Sequence, residues 1–168
     1  LVTGPGSLWN NRFFLFLGDV AGRNRLVVSN GATVWNGGSI VGTLSPAVSN
    51  HVIVIGPGSV WTNDSSLSVG ESSSGNRVDV SAGGQLASAD GFVGLNAGAN
   101  NNAVLLTGGG STWNNLVGLT VGNNGSGNIL IASNGASVFS EILGGIGLNS
   151  TAISNTAIVT GSGSRWMG

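Results

Sequence analysis

The acidic residues are the ones in this chain whose types and spacing come nearest to those of a catalytic site. Asp64 and Asp90 occupy equivalent positions in successive copies of a short repeat, and two carboxylates on neighbouring turns of a regular fold would suit acid and base catalysis on a polysaccharide. Arg12 occupies the same position two copies before Asp64, and the loops that carry the two acids differ in length, so their side chains need not meet. We keep a polysaccharide-degrading enzyme as a remote alternative and predict that the protein is not an enzyme.

The remaining candidate groups are isolated from one another. His51 is the single histidine and cysteine is absent, so the sequence offers neither a thiolate metal site nor a catalytic triad. The glycine run at residues 108–110 lacks the lysine and the following helix of a phosphate-binding loop. We therefore expect no catalytic residue, no metal and no cofactor.

The composition further limits the classes of partner that the protein is expected to bind. Charged residues make up 7% of the chain, lysine is absent, and the net charge is −1, so the surface cannot neutralise a phosphate backbone and nucleic acid is not an expected partner. The longest apolar run, residues 13–17, is far shorter than the ~20 residues that cross a bilayer, so we expect no membrane insertion by this segment.

Two columns of residues recur with a period of 26. The first column is Asn24, Asn50, Asn76, Asn102, Asn128 and Asn155, and the second is Trp9, Trp35, Trp61, Trp113, Phe139 and Trp166, with Ala87 in the remaining position. The last step of each column is 27, which places one inserted residue between Phe139 and Asn155. A fixed period of this length is the signature of a solenoid or another repeat architecture.

The full repeat is 52 residues long and consists of two similar halves, with copies beginning near residues 2, 54, 106 and 159. Each half holds three short β-type segments separated by Gly, Ser and Asn, and no helical period persists. We predict an all-β fold: a right-handed parallel β-helix of about 26 residues per coil and six to seven coils, rather than a propeller. Residues 1–168 would form a single solenoid segment, which we interpret as a fragment of a longer repeat protein.

Stacking of equivalent residues gives both columns a structural role. Asparagine amides would bond from coil to coil, and the aromatic residues would stack in the core, although exposed aromatics that bind sugars remain an alternative. On the core interpretation Ala87 leaves a gap, and Ala87→Trp is expected to raise thermal stability.

A third column suggests association. The positions between the inward residues of one strand are Val27, Ile53, Leu105, Ile131 and Ile158, interrupted by Asp79. A stripe of large aliphatic side chains on an outer face suggests burial against another chain or another segment of the same protein. Ordinary β-propensity on a partly exposed strand is the alternative explanation.

The recurring pattern also resembles a known bacterial repeat. It reads Gly-x-Gly-Ser-x-Trp-x-Asn at residues 4–11, Leu-x-Val-Gly at residues 67–70, and Val-Ser-x-Gly-Ala at residues 28–32. This pattern is similar to the repeat shared by type V secretion autotransporters and PEP-CTERM-anchored surface proteins. The resemblance implies a parallel β-helix in a secreted or cell-surface protein and implies no catalytic residues.

These observations favour a non-catalytic structural role. We expect a stalk, fibre or extracellular matrix component that associates with itself or with neighbouring segments. An adhesin or carbohydrate-binding module that holds surface glycans on exposed aromatics is the alternative.

Overall fold

The computed structural model describes all 168 residues, which form sixteen β-strands and no helix. In chain order the strands are β1 (Val2–Thr3), β2 (Leu8–Leu17), β3 (Arg25–Ser29), β4 (Thr33–Val41), β5 (His51–Ile55), β6 (Val60–Asn63), β7 (Ser66–Val69), β8 (Arg77–Ser81), β9 (Gln85–Val93), β10 (Ala103–Thr107), β11 (Thr112–Val121), β12 (Ile129–Ser133), β13 (Ser137–Ser140), β14 (Leu143–Ile146), β15 (Thr156–Thr160) and β16 (Arg165–Met167). The chain has no helix that is long and apolar enough to cross a membrane.

The strands form two parallel sheets that wind around a common core. Sheet A has the order β1-β3-β5-β8-β10-β12-β15, and sheet B follows β2-β4-β6-β9-β11-β13-β16, with β7 and β14 pairing at its side. Each sheet A strand pairs with the equivalent strand of the next coil, as Val28 does with Val54. The predicted all-β solenoid of 26-residue coils is thus confirmed, with about six turns.

We number the coils by their sheet A strands, from coil 1 (β1 and β2) to coil 7 (β15 and β16). Three β-segments per coil were expected. The second and third of them run together as one bent strand in β2, β4, β9 and β11, whereas coil 3 separates them into β6 and β7 and coil 6 separates them into β13 and β14. At the bend coils 1, 3 and 5 carry one residue more than coils 2 and 4, so that Leu116 and Val117 bulge from β11 opposite β9. Coil 6 also carries the extra residue, because residues 141–142 stand opposite residues 116–117.

The corner between sheets A and B alternates between two turn types. In coil 3, Ser59 N–H donates to the Gly56 carbonyl over 3.1 Å across Pro57 and Gly58, and Gly58 has φ +74°, which is the pattern of a type II turn. In coil 2 the turn is centred on Asn30 and Gly31, with φ 53° and 77°, which is the pattern of a type I′ turn. The second turn is one residue shorter.

Core packing alternates with the same period of two coils. Trp113 and Leu119 are fully buried in coil 5, and the neighbouring coil places Gly91 beneath them. A Cβ at Gly91 would lie 2.5 Å from Trp113 Cζ2. Large side chains of odd coils therefore fill space that small residues of even coils leave, which explains why the sequence repeats every two coils.

Candidate functional site

The six asparagines form a continuous hydrogen-bonded column at the corner that leads into sheet A. Asn76 Nδ2 donates to Asn102 Oδ1 over 2.9 Å, and the Asn76 backbone N–H donates to the same oxygen over 2.9 Å. Equivalent pairs join each asparagine to the next: Asn24 to Asn50, Asn50 to Asn76, Asn102 to Asn128, and Asn128 to Asn155. The four central members are completely buried, so the column satisfies backbone groups at a corner that has no strand partner.

A glycine column packs against these amides. Gly70 has φ +77°, and a Cβ there would overlap Asn102 of the next coil. Gly42 stands in the same relation to Asn76, and Gly94 to Asn128. The glycine that ends each Leu-x-Val-Gly segment is therefore required both by its backbone conformation and by the closeness of the amide above it.

The aromatic residues do not form one column, and the prediction of a single inward stack is wrong. The register places Trp9, Val34, Trp61, Leu86, Trp113, Val138 and Trp166 in the inward column of sheet B. Trp35 pairs with Thr62 in the adjacent outward column, and Phe139, 37% exposed, lies in that same column.

Turn length is the reason for this division. Val54 precedes Trp61 by seven residues across the type II turn, whereas Val28 precedes Val34 by six across the type I′ turn. A shift of one residue sends a strand side chain to the opposite face of the sheet. Ala87 therefore faces outward, and Leu86 fills the core position in coil 4 with no exposed surface. The argument that Ala87→Trp would fill a core gap is wrong for the same reason.

A second buried polar column lies two residues after the inward aromatic position, and sequence reasoning missed it. Its members are Asn36, Asn63, Ser88, Asn115 and Ser140, each no more than 3% exposed. Asn36 Nδ2 donates to Asn63 Oδ1 over 2.8 Å, and Ser88 Oγ donates to Asn115 Oδ1 over 2.8 Å. The signal was the Trp-x-Asn of the repeat motif, whose asparagines Asn11, Asn63 and Asn115 recur every 52 residues. With Asn36 and Ser88 between them, the column advances by alternating steps of 25 and 27 instead of a constant 26.

This column also holds the indole groups of the core. Trp113 Nε1 donates to Ser88 Oγ over 3.1 Å, and Trp166 Nε1 donates to Ser140 Oγ over 2.8 Å. Trp61 Nε1 and Asn36 Oδ1 occupy the equivalent places two coils earlier, and both lack a partner. Trp113 and Trp166 are thus anchored by polar groups of the preceding coil, whereas Trp61 is not.

The aliphatic stripe is aligned on the outer face of sheet A. Val27, Ile53, Asp79, Leu105, Ile131 and Ile158 pair in one continuous register. Ile158 is 38% exposed, and the others are half-buried by their neighbours in the column.

The acid that interrupts the stripe is neutralised by its neighbours. Arg77 Nε lies 2.8 Å from Asp79 Oδ2, and Arg77 Nη2 lies 2.8 Å from Asp79 Oδ1. His51 Nε2 contacts the same Oδ2 at 2.8 Å from the coil below. The hydrogen bond from Arg77 Nε and the contact with His51 both fall on Oδ2, whereas Oδ1 lies beside Arg77 Nη2 but accepts no hydrogen bond. The stripe thus carries a compact polar cluster flanked by Ile53 and Leu105.

The two acids that share a 26-residue spacing are not register partners. Asp90 pairs with Ser66 of coil 3, whereas the Asp64 backbone N–H bonds to the Asn36 carbonyl before the bend. Asp64 Oδ1 instead accepts a hydrogen bond from Trp35 Nε1 over 2.8 Å. No group of three or more His, Asp or Glu side chains comes together in a way that could hold a metal ion.

Two depressions follow one another on the outer face of sheet B, and we call them together the lateral trough. The first measures about 300 Å³ and is lined by Thr62, Asn63, Asp64, Ala87, Ser88, Asn114 and Leu116. The second measures about 440 Å³ and is lined by Asn114, Asn115, Leu116, Phe139, Ser140, Glu141, Met167 and Gly168. Asn114 and Leu116 border both depressions, so the two depressions adjoin each other.

Comparisons with protein-family models, with curated proteins and with solved structures find no match to this chain.

Proposed function

We propose that this chain is a non-catalytic, structural solenoid of a secreted or cell-surface bacterial protein: a stalk, fibre or matrix component. The observation that carries the proposal is that buried polar side chains bond neighbouring coils to each other and so maintain the shape of the solenoid. Two internal ladders, one of asparagine and one of asparagine and serine, run from coil to coil. Six turns at a strand spacing of about 4.8 Å give a rod of roughly 29 Å for this segment alone.

The distribution of reactive groups supports the same proposal. Asp79 is held in an ion pair and Asp64 is occupied by an indole N–H. Asp64 and Glu141 are separated by three coils, about 14 Å at the spacing of parallel strands. That separation exceeds the ~5–9.5 Å between the two carboxylates of glycoside hydrolases.

The repeat motif supports the cellular setting, because it is similar to the repeat of autotransporters and PEP-CTERM-anchored proteins. The structure gives the motif a physical meaning. Its Gly-x-Gly-Ser segment builds the type II turn of odd coils, and its Trp-x-Asn supplies the inward indole and the second polar column. A sequence constrained in this way preserves a rod and leaves its outer columns free to vary.

Self-association through the aliphatic stripe is the second part of the proposal. Burial of the stripe against another copy would remove aliphatic surface from water at about 25 cal/mol per Å². The cost of burying Asp79 is reduced because Arg77 and His51 already contact it, and a buried ion pair can fix the register between two partners.

The experiment compares the assembly of the wild type with that of Ile53→Asp, by light scattering and by electron microscopy of negatively stained samples. We expect wild-type rods to associate laterally and the variant to remain monomeric, because an unpaired carboxylate in the interface costs several kcal/mol. Val60→Asp is the matched control, since Val60 is a half-buried β-branched residue that faces outward on sheet B. A wild type that stays monomeric at high concentration, or an Ile53→Asp variant that assembles as well as the control, would contradict this part of the proposal.

A further inference from the structure

The outward column of sheet B has a vacant ring position. In the even-numbered coils this column carries Trp35, Ala87 and Phe139 at intervals of two coils, about 9.6 Å at the spacing of parallel strands. The first depression of the lateral trough lies where coil 4 has the methyl group of Ala87 in place of an aromatic ring. The walls of this slot come from coils 3 and 5, because their extra residues at the bend place Asp64 and Leu116 beside it.

The lining of the slot combines apolar and polar surface in the way that a sugar ring does. Ala87 and Leu116 offer aliphatic contact, and Leu116 is 64% exposed. Thr62 and Asn114 have side-chain polar groups that make no hydrogen bond within the protein, and both border the slot. A concave apolar surface with a few convergent polar groups is the usual form of a small-molecule site.

Asp64 is held in position at the edge of the slot. Its Oδ1 accepts the Trp35 indole N–H over 2.8 Å, which fixes both the carboxylate and the ring below it. An ionised carboxylate accepts several hydrogen bonds, so Asp64 retains acceptor capacity for a hydroxyl group.

The charge of the trough selects among glycans. Asp64 lines the first depression, Glu141 lines the second, and neither depression is lined by an arginine or by the histidine. A chain of uronic acids would meet two carboxylates without a compensating cation, which is unfavourable because like charges repel. A neutral chain supplies hydroxyl donors that both acids can accept.

We propose that the lateral trough binds a neutral oligosaccharide that runs parallel to the solenoid axis, with one sugar ring seated in the slot at Ala87. Asn114 and Leu116 lie between the two depressions, and Phe139 offers an aromatic surface in the second one. The distance from the slot to Phe139 is two coils, comparable to the length of a disaccharide unit in an extended chain. This binding is independent of lateral association, because the trough and the aliphatic stripe lie on different sheets.

The test measures binding by titration calorimetry, with soluble hexasaccharides of glucose, mannose and N-acetylglucosamine and a uronic acid hexasaccharide of equal length. We expect at least one neutral chain to bind and the uronic acid chain to bind more weakly. Ala87→Trp fills the slot with the side chain that coil 2 already carries, so the sugar ring can no longer reach Asp64. Binding should weaken by about tenfold or more, which is the effect of losing one good hydrogen bond to a charged group. Asn114→Ala should weaken binding by a smaller factor.

Gln85→Trp is the matched control, because Gln85 is an exposed outward residue of the same strand that lies outside the trough. It should bind as the wild type does, and circular dichroism should show the same β-structure in all variants. The proposal is overturned if no neutral chain binds at millimolar concentration, if the uronic acid chain binds more tightly than every neutral chain, or if a folded Ala87→Trp variant binds as tightly as Gln85→Trp.

Discussion

The asparagine column allows a quantitative test in which the same substitution is made at the centre and at the end of the ladder. Asn76 is completely buried. Its Nδ2 donates to Ser73 Oγ over 2.8 Å and to Asn102 Oδ1 over 2.9 Å, while its Oδ1 accepts from the backbone N–H and from Nδ2 of Asn50 at 3.1 and 3.0 Å. Asn76→Ala removes all four hydrogen bonds and leaves the buried N–H of Asn50 without an acceptor.

At about 1 kcal/mol net for each hydrogen bond, Asn76→Ala should lower the free energy of unfolding by about 3–4 kcal/mol. Asn24 donates from Nδ2 to the Ala21 carbonyl and to Asn50 Oδ1 but accepts nothing from a preceding asparagine. Its backbone N–H keeps its bond to Asn50 Oδ1 after substitution. Asn24→Ala should therefore cost only about 1–2 kcal/mol, because two hydrogen bonds of a partly exposed amide are lost.

Urea unfolding followed by circular dichroism measures both variants against the wild type, with the slope of the transition checked for constancy. A constant slope shows that the coils still unfold as one cooperative unit. The reasoning fails if Asn76→Ala costs no more than Asn24→Ala, since the ladder would then contribute nothing beyond side-chain burial.

Three further substitutions test the register of sheet B and the packing of its core. Ala87→Trp should change the free energy of unfolding by no more than about 0.5 kcal/mol, because the residue faces outward. Leu86→Ala should lower the free energy of unfolding by about 2–5 kcal/mol through loss of core volume. Thermal and urea unfolding measure both values, and an inward Ala87 would give the reverse order. Gly91→Ala should cost about 1–3 kcal/mol because its Cβ would lie 2.5 Å from the buried ring of Trp113. Gly109→Ala, with nothing within 4 Å of its Cβ, is the control, and equal costs at the two glycines would show that the two-coil alternation of the core is unimportant.

The prediction of the fold from sequence succeeded because the sheet A side of each coil has a constant period. Asn50, Asn76 and Asn102 are evenly spaced along the chain, and the strand that follows each asparagine starts at the same distance. The alternation of inward and outward residues in sheet A, including the outward stripe from Val27 to Ile158, therefore follows directly from the spacing.

The sheet B side was predicted only in part, because its aromatic residues recur at a constant interval in the sequence but do not occupy equivalent positions in the structure. Trp35 follows Trp9 by the same interval that separates the asparagines, and the structure nevertheless places the two tryptophans on opposite faces. The one-residue difference between the Pro-Gly turn and the Asn-Gly turn changes the face. The bend adds one more residue to coils 3 and 5, and the corner before the ladder asparagine restores a constant coil length, because Gly70 precedes Asn76 by six residues whereas Gly42 precedes Asn50 by eight. Because sequence reasoning counted positions along the chain and did not compare the turns, it missed both the division of the aromatics and the second polar column.

The sequence by itself therefore determined the repeat, the parallel stacking and the asparagine ladder, because identical residues at a constant spacing can satisfy one another only when the coils lie directly above each other. Only the tertiary structure decided which aromatic residues are core and which line the lateral trough. A side chain's face depends on the number of residues in the preceding turn, and the vacant position at Ala87 becomes visible only when neighbouring coils supply its walls.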